Sequence, residues 1–274
     1  MPSCLGIVSV RRAIGPETRP VRTGRQPRTY RGQTMFQNSG VRDDAPADRR
    51  ARRVAVGIFA LLLLGLSALF VDLPLAQWLH ANVSPGVDHV FEWIGEAGDS
   101  GNYAWAVLIV YIAALAALRR GRDGAWIGGY ERVVRGALLL MAAWIAGGIV
   151  TGLLKQVVAR ARPELFFEQG IYGLGHPFQG KPFNSFPSSH ALTAFVLAAA
   201  IAVVAPRWRW AVYTLAVLAA VSRLVNLDHF ASDVAASALI AMTAVHGLKR
   251  WFLDPAYRWP MRVPWRWFAR VAKR

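Results

Sequence analysis

Six apolar runs order the chain: Val54 to Val71, then about 103–118, 135–156, 189–205, 211–227 and 231–248. A helix needs roughly 20 apolar residues to cross a hydrocarbon core about 30 Å thick. The runs therefore predict an all-α, polytopic membrane protein, a bundle of six transmembrane helices. The first run follows Arg49, Arg50, Arg52 and Arg53. It is longer than a usual signal-peptide core and no small-x-small cleavage site follows it, so it reads as a signal-anchor or first span. Pro206-Arg207-Trp208-Arg209-Trp210 is a brief polar break. A turn that tight makes the fourth and fifth spans an antiparallel hairpin.

Between and beyond the runs the chain changes character. Residues 1–50 are polar, Arg-rich and poor in aliphatics, and are expected to be a disordered basic tail. Met35 lies just upstream of the first run and stands as an alternative start, with 1–34 an upstream extension. Residues 51–248 form the six-span domain. Residues 249–274 mix Trp251, Trp259, Trp265 and Trp267 with basic residues, as an interfacial tail in the headgroup layer does. The 72–102 loop, with Trp78, Phe91 and Trp93, is expected to hold interfacial helices.

Composition agrees. The 274 residues are 54% hydrophobic and 18% charged, against about 25% charged in soluble domains. Net charge is +16. No nucleic-acid-binding signature accompanies it, so anionic headgroups are the expected partners of the basic tails and nucleic acid is not. The single cysteine, Cys4, excludes an internal disulfide and a cysteine-based metal site. Of the 32 Lys and Arg, 27 lie in the two tails, the 119–135 loop and the 206–210 turn, while the 72–102 loop has none. This asymmetry predicts cytoplasmic termini in the plasma membrane. The remaining cations, Lys155, Arg160, Arg162, Lys181 and Arg223, fall on the opposite face.

Three charged clusters sit at that face: Lys155-x6-Arg162-Pro163, Pro187-Ser188-Ser189-His190 and Ser222-Arg223-x5-His229-x3-Asp233. Span lengths bring all three to one membrane level. His229 and Asp233, four residues apart, share a helical face. The carboxylate is expected to accept the Nδ1 proton, leaving Nε2 nucleophilic. Ser188 and Ser189 open a helix whose N–H groups suit a phosphate. Lys155, Arg162 and Arg223 neutralise its oxygens, and His190 protonates the leaving oxygen. This chemistry needs no metal or cofactor. Each cluster also has a plain reading: snorkelling span ends, a helix cap, a structural His–Asp pair. Their joint occurrence on one face favours a site.

These residues resemble the type 2 phosphatidic acid phosphatase (PAP2) superfamily, with its K-x6-R-P, P-S-G-H and S-R-x5-H-x3-D signature. The first and third motifs match at every specified position; in the second, Ser189 replaces the usual Gly. The resemblance spans 155–233 in its motifs and about 54–248 in its six-span branch. It implies phosphate binding by Lys155, Arg162, Ser188, Ser189 and Arg223, with His190 the acid, His229 the nucleophile and Asp233 its partner. Arg160 and Lys181 lie outside the motifs and are expected to be solvated loop charges. His80, His89, His176 and His246 are expected to be structural or solvated.

The implied activity is metal-independent hydrolysis of a membrane lipid phosphate or diphosphate through a phosphohistidine. Implied substrates are undecaprenyl diphosphate, phosphatidic acid, phosphatidylglycerol phosphate and lipid A phosphate. The site faces the periplasm or exterior. Phe166, Phe167, Phe178, Phe183 and Phe186 either shape its lipid entrance or anchor the interface. A lipid phosphotransferase would use the same residues. Haloperoxidation, known in soluble relatives, fits poorly with six apolar spans. A transporter or scaffold with a vestigial site is disfavoured by intact ionisable motif positions.

Overall fold

A computed structural model describes residues 46–97, 100–120 and 127–254. The expected disordered tail, apart from 46–50, and the interfacial tail beyond Asp254 lie outside these residues. The chain parts into two units, Met1–Ala51 and Arg52–Arg274. The second unit holds all three charged clusters.

Regular structure among the described residues is helical: α1 Pro46–Phe70, α2 Asp72–Asn82, α3 Pro85–Ala97, α4 Ser100–Arg119, α5 Ile127–Val158, α6 Pro163–Gln169, α7 Ser189–Val204, α8 Arg209–Val225 and α9 Ala231–Leu253. Helices α1, α4, α5, α7, α8 and α9 coincide with the six apolar runs. Several outrun them: α5 starts at 127 rather than 135 and α9 continues to 253. Hydropathy marks only the apolar part of a helix, whereas Arg132 and Arg135 lie in the first turns of α5 and Lys249 and Arg250 in the last turns of α9. Residues 46–50, read as tail, are likewise helical.

Among the described residues, four helices are long and apolar enough to cross a membrane: Arg50–Phe70, Gly128–Val158, Pro206–Val225 and Ala231–Leu253. The expected second and fourth spans are shorter apolar helices, Tyr103–Arg119 and Ser189–Val204. The 16 residues of α7 rise only about 24 Å. Ser188 caps one end and Pro206 follows the other. A helix enclosed by protein need not match the bilayer. Helix α7 packs on α5, α8 and α9, and its Ala191, Ala198, Ala199 and Ala200 are buried. Around it Leu139 and Ala143 of α5 meet Leu192 and Val196 of α7 and Val245 of α9. A Cβ on Gly136 of α5 would stand 2.7 Å from Val204 Cγ2, so the bare backbone lets α5 and α7 approach closely.

The outward faces are apolar. Leu69 is 75% exposed and Leu153 63%. Contiguous exposure of this kind belongs against lipid, not water. Helices α2 and α3 lie within the 72–102 segment, and α3 packs on α8. The segment from 159 to 188 folds back over the end of α5. Ala161 N donates to Gly173 O at 2.9 Å, Gly175 N to Ala159 O at 2.7 Å and Ser185 N to Arg160 O at 3.0 Å. Helix α6 starts with Pro163 at its first position and ends on Gly170, whose φ of 69° is the left-handed cap glycine favours.

Candidate active site

The folded-back segment brings the three clusters together. Lys155, in the last turn of α5, donates to the Asn184 carbonyl at 2.6 Å. Arg162, which caps α6, donates through Nε to Asn184 Oδ1 at 3.0 Å and through Nη1 to Asp228 Oδ1 at 3.3 Å. Arg223, in the last turn of α8, donates through Nη2 to Asp228 Oδ2. Ser188 accepts from Ala191 N with its side chain, and its own N–H donates to the Asp233 carbonyl at 3.4 Å. The α7 start is thus tied to α9. Ser189, the first residue of α7, is not in a positive-φ conformation, so a Cβ is accommodated at this position without backbone strain.

His190 and Arg223 line a cavity of about 630 Å³ together with Asp88, Glu92, Glu96, Glu164, Asn226 and Asp228. Gly95 of α3 also lines it, and a Cβ there would overlap Arg223 Nη1. The guanidinium occupies the space that the missing side chain leaves.

His229 follows α8 in a short loop and is buried. Its Nδ1 lies 2.7 Å from the Ser185 carbonyl oxygen. A carbonyl only accepts, so Nδ1 carries the proton and Nε2 presents its lone pair. Burial holds the imidazole pKa below its ordinary value; the Asp233 carboxylate opposes that, and Lys155 and Arg162 reinforce it. The ring is therefore neutral at neutral pH, with the tautomer a nucleophile needs. The expected orienting partner differs, because Asp233 Oδ2 stands 3.8 Å from Nδ1, beyond hydrogen-bond reach.

Asp233 is occupied elsewhere. Its Oδ2 accepts from Ser185 Oγ at 2.6 Å and from Phe230 N at 2.9 Å. Its Oδ1 accepts from Arg160 Nη1 at 2.7 Å. Asp233 thus fixes the segment whose carbonyl fixes His229.

Arg160 corrects the expectation of a solvated loop charge: it is 6% exposed. It also donates to Ser232 Oγ at 2.7 Å and, through Nη2, to Asp72 Oδ2 at 2.8 Å. Asp72 further accepts from Ser232 N at 2.9 Å and from Ser232 Oγ. The guanidinium lies 4.3 Å from the Phe230 ring centroid. Burial opposes its charge, but Asp233 and Asp72 outweigh burial and raise its pKa. Sequence reading missed Arg160 and Asp72. The available signal was Asp233 itself, a carboxylate in an apolar run that requires a cation.

Lys181 is exposed, as expected of a loop charge, and so are His80, His89, His176 and His246. His80 stacks on Phe167 at 4.0 Å, and Phe166 meets Phe167 and Tyr172 edge-on. Phe178 is largely exposed.

Comparison with known proteins adds to this geometry. The PAP2 superfamily model matches residues 136–256. Lipid A 1-phosphatase of Rhizobium johnstonii is 31% identical over 209 residues, covering 70% of this chain and 82% of that protein. Lipid A 1-phosphatase of Rhizobium etli is 31% identical over 185 residues, covering 62% of this chain and 72% of that protein. The crystal structure of a transmembrane PAP2 type phosphatidylglycerolphosphate phosphatase from Bacillus subtilis superposes with a TM-score of 0.52 at 18% identity. It covers 74% of this chain and 98% of that one. At that identity the likeness is one of fold.

Proposed function

The chain belongs to the PAP2 superfamily of membrane lipid phosphatases and is a multi-pass integral membrane hydrolase; from that premise we propose that it removes the 1-phosphate of a lipid A-type glycolipid. The reaction runs without a metal ion, through a phosphohistidine on His229. The observation that carries the mechanism is the bond between His229 Nδ1 and the Ser185 carbonyl, beside the Arg162–Arg223 pair.

Lys155, Arg162 and Arg223 surround the phosphate oxygens, with the Ser188 hydroxyl and the backbone N–H of Ser189 at the start of α7; the Ser188 N–H is already engaged by the Asp233 carbonyl. Nε2 of His229 attacks phosphorus in line. The P–N bond forms as the P–O bond to the sugar breaks, and protonated His190 gives its proton to the leaving oxygen. Water then attacks phosphorus, the P–N bond breaks, and His190 takes the water's proton. Orthophosphate leaves. Asp233 and Arg160 are positioning residues: they hold the Ser185 and Phe230 backbone around the nucleophile.

Helices α1, α4, α5, α7, α8 and α9 are the six spans of this reading. Residues 51–248 form the catalytic domain, flanked by basic tails. The Lys/Arg asymmetry supports cytoplasmic termini and a site at the outer face of the plasma membrane. A lipid phosphate at headgroup level reaches such a site sideways.

The test is phosphate release in detergent with EDTA, from lipid A 1-phosphate, phosphatidic acid, phosphatidylglycerol phosphate and undecaprenyl diphosphate. Lipid A 1-phosphate is expected to be the best substrate, and His229→Ala to abolish release. No release from any of them, or full activity without His229, overturns the mechanism. Preference for another lipid overturns the substrate assignment. For topology, a cysteine placed at Gly121 should react only from the cytoplasmic side.

A further inference from the structure

Asp228 is not a motif position, yet its carboxylate bridges two motif arginines. Oδ1 accepts from Arg162 Nη1 at 3.3 Å, and Oδ2 accepts from Arg223 Nη2. These guanidiniums come from the start of α6 and the end of α8. Two like charges brought this close repel, and the carboxylate between them removes the repulsion. The backbone beneath is fixed, since the N–H groups of Asp228 and His229 both donate to the Arg223 carbonyl, at 3.1 and 3.2 Å. The side chain is 23% exposed and faces the 630 Å³ cavity, so it can swing away without moving the loop.

We propose that Asp228 is a specificity-determining residue: an internal competitor that occupies the oxyanion position between Arg162 and Arg223 and must be displaced by the phosphate. The proposal rests on the proposed function, in which these arginines hold the substrate phosphate. A carboxylate with two oxygens and one negative charge imitates part of a phosphate that offers three oxygens and nearly two charges. It keeps the arginines spaced and oriented in the empty site. It also weakens every ground-state phosphate complex by the free energy of its own ion pairs. The product, inorganic phosphate, binds through these contacts alone, so the competitor favours its release. A lipid substrate has additional contacts to offset the displacement.

The alternative is that Asp228 only scaffolds the arginines. The two ideas predict opposite signs. In Asp228→Asn the side chain keeps its size but loses its charge. The competitor model expects the inhibition constant for inorganic phosphate to fall at least about threefold, the scale of a partly exposed ion pair, and KM to fall with it. Scaffolding expects both to rise.

The experiment measures phosphate inhibition at constant ionic strength in the full-length protein, for wild type, Asp228→Asn and Asp228→Ser. It also records how far inorganic phosphate raises the thermal unfolding temperature, which needs no turnover. Tighter inhibition and larger protection in the variants support the proposal. Unchanged or weaker phosphate binding, or failure of both variants to fold, overturns it. If wild type hydrolyses no lipid phosphate and gains no protection from phosphate, the parent reading has failed instead.

Discussion

Arg160 Nη1 lies 2.7 Å from Asp233 Oδ1, and both side chains are buried. The guanidinium also reaches Asp72, so one cation serves two carboxylates from opposite ends of the domain. Breaking a buried pair by deleting one partner costs about 3–5 kcal/mol, because the other charge is left unpaired. Arg160→Ala is expected to lose stability on that scale, read as a fall in thermal midpoint in detergent. Arg160→Lys keeps the charge but cannot span both carboxylates with a planar fork, so it should fall in between. Removing one negative charge as well, in Arg160→Met with Asp72→Asn, should recover part of the loss. Equal losses in the single and double variants would remove the pair from the frame of the site.

A second expectation concerns pH. His229 is neutral in the fold and its pKa is lowered by burial. The unfolded chain therefore takes up a proton near 6.5 while the folded chain does not. Below that pH the unfolded state binds more protons, so stability falls as pH falls and is regained as pH rises. The loss should begin just under 6.5 and continue down to the folded-state pKa. Thermal midpoints between pH 7.5 and 5 should show it in wild type, and His229→Gln should remove that component. In the proposed mechanism the neutral ring is the nucleophile, so the limb of kcat/KM that reports His229 should also lie below 6.5.

The apolar helices and the charged clusters were legible for different physical reasons. A membrane helix must satisfy its own backbone, which leaves an apolar run that composition alone exposes. Charges that break such a run, like Asp233 and Lys155, stand out because burial without a partner is unfavourable. The illegible part depends on contacts across the chain. The partner of His229 is the backbone carbonyl of Ser185, and a carbonyl has no sequence signature. Arg160 meets Asp72 across 88 residues, in a segment whose return path depends on backbone bonds such as Ser185 N to Arg160 O. The short α7 was overestimated by a residue because the apolar run includes Ala205, which caps the helix.

Thr193 tests how α7 is held. Its Oγ1 accepts from Trp144 Nε1 of α5 at 3.1 Å and donates to the Ser189 carbonyl at 3.1 Å. Thr193→Val keeps the shape and removes the acceptor, leaving the indole N–H unpaired. Interhelical bonds in bilayers are worth about 0.6 kcal/mol on average and up to about 1.7. A stability loss in that range is expected, with a change in near-ultraviolet circular dichroism at the tryptophan bands. No loss would show that Trp144 finds another acceptor.

Gly95 carries no chemistry of its own, but it makes the space for Arg223. An added Cβ would overlap Arg223 Nη1 and stand 3.2 Å from Ser222 Oγ. The cheaper adjustment is at the flexible end of the arginine, so Gly95→Ala should move the guanidinium rather than the helices. In the proposed phosphate site Arg223 would then lose one charge-assisted contact to phosphate, worth about 1.4 kcal/mol or a tenfold change in affinity. The expected result is an inhibition constant for inorganic phosphate about tenfold higher, with KM rising and the thermal midpoint little changed. Helix α3 gains slightly from the replacement of glycine, which works against any loss of stability. If phosphate binding in Gly95→Ala equals that of wild type, Arg223 has room to reach the phosphate from elsewhere, and α3 does not position it.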